Sequence, residues 1–198
     1  MLSEKWQKQN YERTGNDPTP WRGSAEDLLH AAQVLYIRYP SLKCVKAGTA
    51  RSPSIKALQV LGVVRMLMAM ALECLFKGAW INAGRTLVRN GVYEKIPHTN
   101  DHDLESLADK ISKATRLNFT PAEREMLSRL SLWIVAGRYP IQRNWEVTKI
   151  RRLRTGGQGP PTFWRFRTDD DLFDAVLTKL TNELTPASRI KRKTRMNP

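Results

Sequence analysis

The stretch from Ile55 to Gly84, IKALQVLGVVRMLMAMALECLFKGAWINAG, decides the fold. Only Lys56, Arg65, Glu73 and Lys77 are charged over about eight helical turns. Met, Leu and Ala favour helix, and a helix apolar on nearly every side has to be surrounded by other protein. Gly62 and Gly78 offer notches for a neighbouring helix, or points where the rod bends. The Met66, Met68 and Met70 group reads as core filling. Glu73 and Lys77 stand four residues apart in the order that favours an intrahelical ion pair. In so apolar a setting either charge is costly without its partner, so the pair reads as a polar clasp in a helical interface, or else as the lining of a ligand site.

The flanking segments supply the partners this helix needs. Upstream, Ser24 and Asp27 resemble a capping box, and Leu28, Ala32, Leu35 and Tyr36 recur at helical spacing, predicting a helix over about 25–38 that Pro40 closes. The connector SLKCVKAGTARSP (41–53) is basic, and Ser52-Pro53 fits an N-cap and first helical position. Residues 1–20 are polar and end in DPTP, so they read as a flexible arm with a short helix at most. Downstream, Gly84 and Gly91 bracket RTLVRN, which reads as a basic connection and not a strand system. Asp103 can cap a third helix facing Leu104, Leu107, Ala108 and Ile111 inward. Thr120, Pro121 and Glu123 give a fourth helix its cap, first residue and reciprocal acid, with Leu127, Leu130, Trp133 and Ile134 as the buried stripe, ended by Gly137 and Pro140.

Residues 141–168 change character. Trp145, Lys149, Arg151, Arg152 and Arg154 precede TGGQGPP, and FWRFR follows; the segment reads as a long basic loop, or as a short hairpin turning at TGGQGPP. Thr168 and Asp171 then offer a cap and an N3 acid for a last helix carrying Leu172, Phe173, Val176, Leu177, Leu180 and Leu184. The prediction is an all-α protein, an antiparallel helical bundle: polar arm 1–20, helical domain 21–185 with the basic insert 141–168, and basic tail 186–198.

Charge narrows the function classes. The 198 residues carry 33 Lys and Arg against 19 Asp and Glu, a net +14. This fits an anionic partner and excludes an acidic surface that mimics nucleic acid. The excess is local: residues 141–198 hold 13 basic and 6 acidic side chains, half of the net charge, while 101–140 balance at 6 and 6. Cys44 and Cys74 make no disulfide framework, and the first residues lack the apolar core of a signal peptide. With no uninterrupted run of 18 apolar residues, the expectation is a cytoplasmic protein with no membrane span.

Candidate chemistry rests on few residues. His102, followed by Asp103 at a helix start, can pin the preceding loop, bind an anion or transfer a proton. The three histidines His30, His98 and His102 form no ligand set, and CxxC and HExxH are absent, so no metal and no cofactor is expected. Arg151, Arg152, Arg154, Arg165 and Arg167, interleaved with Trp145, Phe163, Trp164 and Phe166, can pair phosphate attraction with base stacking; the alternative is that the aromatics pack back on the core.

Three short motifs are familiar in their order: E73CLFK77 in the long helix, H102DL104 opening the next, and R138YP140 ending the fourth. Together they resemble the HEPN superfamily, the all-helical nucleotide-binding domains of higher eukaryotes and prokaryotes, over roughly residues 24–184. The resemblance implies a compact bundle that commonly dimerises, and either ribonuclease activity or a role in toxin–antitoxin and antiviral systems. The family's ribonuclease motif, an Arg, four to six intervening residues and then a His, is absent at all three histidines. Carried over by position, the resemblance implies a polar cluster of Glu73, Lys77, His102, Asp103, Arg138 and Tyr139. In a ribonuclease, His102 would transfer a proton and Arg138 would stabilise phosphate charge. The resulting expectation is a non-catalytic HEPN-like homodimer binding RNA, in preference to DNA, or a nucleotide. The alternatives are a metal-independent endoribonuclease and an interaction subunit docking on an acidic protein partner.

Overall fold

A computed structural model describes residues 3–39, 55–136, 151–152, 158–159 and 168–185. Six helices form among them: α1 (Glu4–Gly15), α2 (Pro18–Arg38), α3 (Ile55–Asn82), α4 (Leu104–Ala114), α5 (Pro121–Ala136) and α6 (Thr168–Glu183). Two hairpins of two residues per strand complete the set, β1 (Val88–Arg89) with β2 (Val92–Tyr93), and β3 (Arg151–Arg152) with β4 (Gln158–Gly159). The protein is all-α in character.

The long apolar helix is the axis. Ala69, Ala71, Leu72, Leu75, Phe76 and Ala79 of α3 are buried in one core with Leu104, Leu107, Ala108 and Ile111 of α4, Leu127, Leu130 and Ile134 of α5, and Phe173, Val176 and Leu180 of α6. Contacts fix the helix directions. Ala32 near the end of α2 packs on Leu61 and Val64 near the start of α3, while Trp21 at the start of α2 lies against Gly78 near the end of α3, so these two run antiparallel. Gly62 faces Trp133 of α5, and Phe76 meets Phe119, just ahead of α5, edge to face at 5.7 Å, so α5 is antiparallel to α3 as well. The expected notches are real. A Cβ on Gly62 would lie 3.1 Å from the Trp133 ring, and one on Gly78 would lie 3.2 Å from Leu184 of α6.

Over Gln59–Asn82, α3 is long and apolar enough to cross a membrane by length and composition, and half of that stretch is buried among its neighbours. Core packing by α2, α4, α5 and α6 is a sufficient physical reason for the composition.

Caps explain the boundaries. Asp103 accepts from the Ser106 backbone N at 3.1 Å. Thr120 N donates to Glu123 Oε2 at 2.7 Å while Glu123 N donates to Thr120 Oγ1 at 3.2 Å, the reciprocal capping box the sequence predicts.

Three expectations change. Residues 4–15, expected in an arm, form α1, capped by Ser3. The DPTP stretch starts a helix: Asp17 accepts from Thr19 N at 2.9 Å and Pro18 takes the first position, where its missing N–H costs nothing. RTLVRN contains the first strand of a hairpin, because Asn90 and Gly91 adopt φ of 55° and 75°, the left-handed pair that a tight two-residue turn requires. In the basic insert a short hairpin forms, with Arg151 opposite Gly159 and Arg152 opposite Gln158; Gln158 and Gly159, expected in the turn TGGQGPP, belong to its second strand instead.

The first hairpin is secured by a side chain. Asn16, between α1 and α2, accepts at Oδ1 from Leu87 N (2.8 Å) and Val88 N (3.0 Å) and donates from Nδ2 to Val88 O (2.7 Å). Its amide thereby satisfies backbone groups that a third strand would otherwise pair.

At the other end of the bundle, α6 is held by buried charge. Arg129 of α5 donates to Glu125 at 2.5 Å and to Asp169 at 2.6 Å, and all three side chains are almost wholly buried. Asp171, the expected N3 acid of α6, is exposed, and the acid of the first turn that is buried in the bundle is Asp169. Farther along α6, Lys179 donates to both oxygens of Glu123 at 2.7 Å.

Candidate functional site

Helix α3 places Glu73 and Lys77 one turn apart on the face toward the segment entering α4. Lys77 Nζ donates to Glu73 Oε1 at 2.7 Å, and Glu73 Oε2 lies 3.0 Å from His102 Nδ1. The second arm runs through Asp101: its Oδ2 lies 3.8 Å from Lys77 Nζ and accepts from the Tyr93 hydroxyl at 3.1 Å. Lys77 Nζ also sits 5.4 Å from the Trp21 ring centroid and 5.2 Å from that of Tyr93, so two aromatic faces complete its surroundings. The cluster therefore draws on α2, α3, the first hairpin and the start of α4.

Exposure grades across it. The Lys77 and Glu73 side chains are 8% and 12% exposed, and the His102 ring is 39% exposed. A buried ion pair thus ends in a half-open imidazole. Burial by itself depresses the Lys77 ammonium, but the charge and hydrogen bond of Glu73, with help from Tyr93, outweigh it and hold Lys77 above its ordinary value. Lys77 is a fixed cation, not a base. Burial likewise raises Tyr93, against the opposing pull of Lys77, so its phenol stays a donor to Asp101. Next to Glu73, the Cys74 thiol is pushed up to about 11, by burial first and the Glu73 charge second. It is a core group with little thiolate.

The loop is built to present His102. Asn100 Oδ1 accepts from His102 N at 3.3 Å, Asn100 O accepts from Asp103 N, and Ser131 Oγ of α5 accepts from Leu104 N at 2.9 Å. Of the expected polar cluster, Glu73, Lys77 and His102 come together. Asp103 does not join them: its carboxylate turns to its own helix and accepts from Ser106 N and, at 2.6 Å, from Ser106 Oγ. Arg138 and Tyr139 lie outside the described residues, as do Arg154, Arg165 and Arg167, while Arg151 and Arg152 form β3. His30 and His98 are exposed, and neither is bonded into the cluster.

Sequence reading missed Asp101, Tyr93 and Trp21. Asp101 precedes His102 directly in DHDL, and the Asn-Gly turn ahead of Tyr93 was a usable hairpin signal. Trp21 carried no signal, because its place depends on α2 beginning earlier than expected. Among the described residues no three His, Cys, Asp or Glu side chains gather as metal ligands, and Lys77 stands where a cation would sit between Glu73 and Asp101.

A second feature lies elsewhere. Between α2, α3 and α6 a cleft of about 470 Å³ is lined by Tyr36, Leu61, Arg65, Met68, Phe173 and Asp174, among others. Arg65 is buried there over the Trp133 ring at 5.2 Å, and burial lowers it to about 10 against the opposing charges of Asp170 and Asp169. The cleft is mainly apolar and contains none of the polar cluster. The cluster is the better candidate, because its imidazole is oriented by directed hydrogen bonds and remains accessible. No family model, curated protein or solved structure matches the chain.

Proposed function

We propose that this chain is an HEPN-like helical protein that binds RNA or a nucleotide without cleaving it, as one component of a bacterial defence or toxin–antitoxin system. The observation that carries the reading is the segregation of charge: 13 basic against 6 acidic residues after position 140, beside a balanced 101–140. Within that basic region Arg151 and Arg152 occupy a paired strand, and a concentration of arginines suits contact with a phosphate chain. The assembly of Glu73, Lys77 and His102 supports the family resemblance, since these matched positions meet between α3 and the loop entering α4.

The test is fluorescence anisotropy with a labelled single-stranded RNA at low salt. Neutralising Arg151, Arg152 and Arg154 together is expected to weaken binding by about tenfold or more and to flatten the dependence of log K on log salt by about 2, near 0.7 per lost phosphate contact. Absence of binding by the wild-type chain at low salt sinks the reading and leaves the acidic protein partner.

One observation favours a second reading, a metal-independent endoribonuclease. His102 is braced by Glu73 and half-open, as a proton-transferring imidazole must be. That reading requires cleavage of the same RNA in EDTA, lost in H102A and R138A; cleavage that persists in both variants eliminates this site.

A further inference from the structure

The polar cluster has a direction. Glu73 accepts the Lys77 proton at one oxygen, and an ionised carboxylate has only acceptor capacity, so the 3.0 Å contact at its other oxygen needs the proton on His102 Nδ1. A neutral imidazole so held has its lone pair on Nε2, and Nε2 has no hydrogen-bond partner among the described residues. Among the described residues of this group the only full positive charge, Lys77, is turned inward, 8% exposed, between Glu73, Asp101 and two aromatic rings. What the cluster offers outward is therefore an acceptor, flanked by carboxylates. That is a poor seat for a phosphate and a good one for an O–H or N–H donor.

We infer that His102 Nε2 accepts a hydrogen bond from a ribose 2′-hydroxyl, with Glu73 and Lys77 as positioning residues that fix the imidazole tautomer, so that this cluster is where the chain tells RNA from DNA. The inference rests on the nucleic-acid reading above and assigns the cluster a task separate from that of the basic strand: arginines attract any polyanion, and the imidazole selects the sugar. The 2′-hydroxyl is the group that differs between the two nucleic acids at every nucleotide, and it is a donor as well as an acceptor. Lys77 acts on the imidazole through Glu73: it donates to Oε1 and leaves Oε2 as the acceptor facing His102 Nδ1. Burial lowers Lys77, but the charge and hydrogen bond of Glu73 outweigh it and hold its own proton more firmly than usual. Tyr93 and Asp101 hold Lys77 from the other side.

The experiment has two parts on the full chain. In the first, ¹⁵N NMR of the histidine-labelled, ligand-free protein reads the neutral tautomer of His102, with H102A assigning the signal. The expected result is a protonated Nδ1 and an unprotonated Nε2, reversed in E73Q, whose amide can donate to Nδ1. In the second, anisotropy compares one sequence as RNA, as 2′-O-methyl RNA and as DNA. Wild type is expected to prefer RNA by about 3- to 10-fold, the worth of one hydrogen bond. H102A and E73Q are expected to lose this preference while keeping their affinity for DNA. K77M is expected to lose the preference by another route, because Glu73 is then free to draw a second proton onto His102 and turn Nε2 into a donor; if it does not fold, the near-isosteric E73Q alone carries the test. An unprotonated Nδ1 in the wild type overturns the inference whatever RNA does. Equal affinity for the three oligonucleotides, or a preference that survives in H102A, overturns it too. If no oligonucleotide binds at all, the nucleic-acid reading fails and this inference falls with it, whereas binding without preference spares the former and removes only the latter.

Discussion

Two ionic networks of similar composition sit in different parts of this bundle and end differently. In the Arg129 network a guanidinium is shared by Glu125 and Asp169, and no member is more than 7% exposed. In the Lys77 network an ammonium is shared by Glu73 and Asp101, and the chain of contacts continues to an imidazole that is 39% exposed. Both join sequence-distant elements. The first is closed and can only hold α6 to α5; the second opens toward solvent through a group that carries a proton or accepts one. Burial alone therefore does not mark a site. An oriented group at the open end of a buried network does.

The largest expected effect breaks the closed network. D169A leaves Arg129 buried with one carboxylate fewer, and should cost about 3–5 kcal/mol of stability by urea denaturation. A loss below about 1 kcal/mol would mean that water already reaches the guanidinium and that the two networks are alike. The open network should yield less: K77M leaves Glu73 next to a half-exposed partner that can take up charge in its place, so a loss of about 1–3 kcal/mol is expected. If K77M proves as damaging as D169A, the contrast between closed and open disappears.

The smallest effect sharpens the comparison through pH. Cys74, beside Glu73, is raised in the folded protein from 9.0 to about 11, so the folded state binds its thiol proton more tightly than the unfolded state does. Its contribution is present below the unfolded value and is lost as pH rises through the interval from about 9 to about 11. Wild type should lose stability across that window more steeply than C74A. The scarce thiolate should also make Cys74 react with iodoacetamide at pH 8 about a hundredfold more slowly than a free cysteine thiol.

Legibility of the sequence divides along the same line. Helices α4 and α5 were readable because their signals are local: the buried Leu104, Leu107, Ala108 and Ile111 repeat at helical spacing, and the Thr120–Glu123 box spans four residues. The Glu73–Lys77 clasp was readable for the same reason. The Arg129 network was not. Glu125 and Arg129 alone look like an ordinary surface pair four residues apart, and only Asp169, 40 residues on, brings the burial that makes them a clasp. Asp101 and Tyr93 give no local signal as a pair, because their meeting depends on a hairpin whose strands are only two residues long. Local patterns foretell which residues face inward; what they meet there is set by packing between distant segments.

The Asn16 amide carries a consequence for the polar cluster two contacts away. Two strands of two residues make a poor scaffold by themselves, so the position of Tyr93 is referred back through Val88 and Leu87 to a single side chain near the start of the chain. Tyr93 in turn steadies Asp101, and Asp101 precedes the imidazole. The earliest helices thus serve as a gauge block: they set the height at which His102 meets whatever approaches it, although no atom of α1 belongs to the cluster.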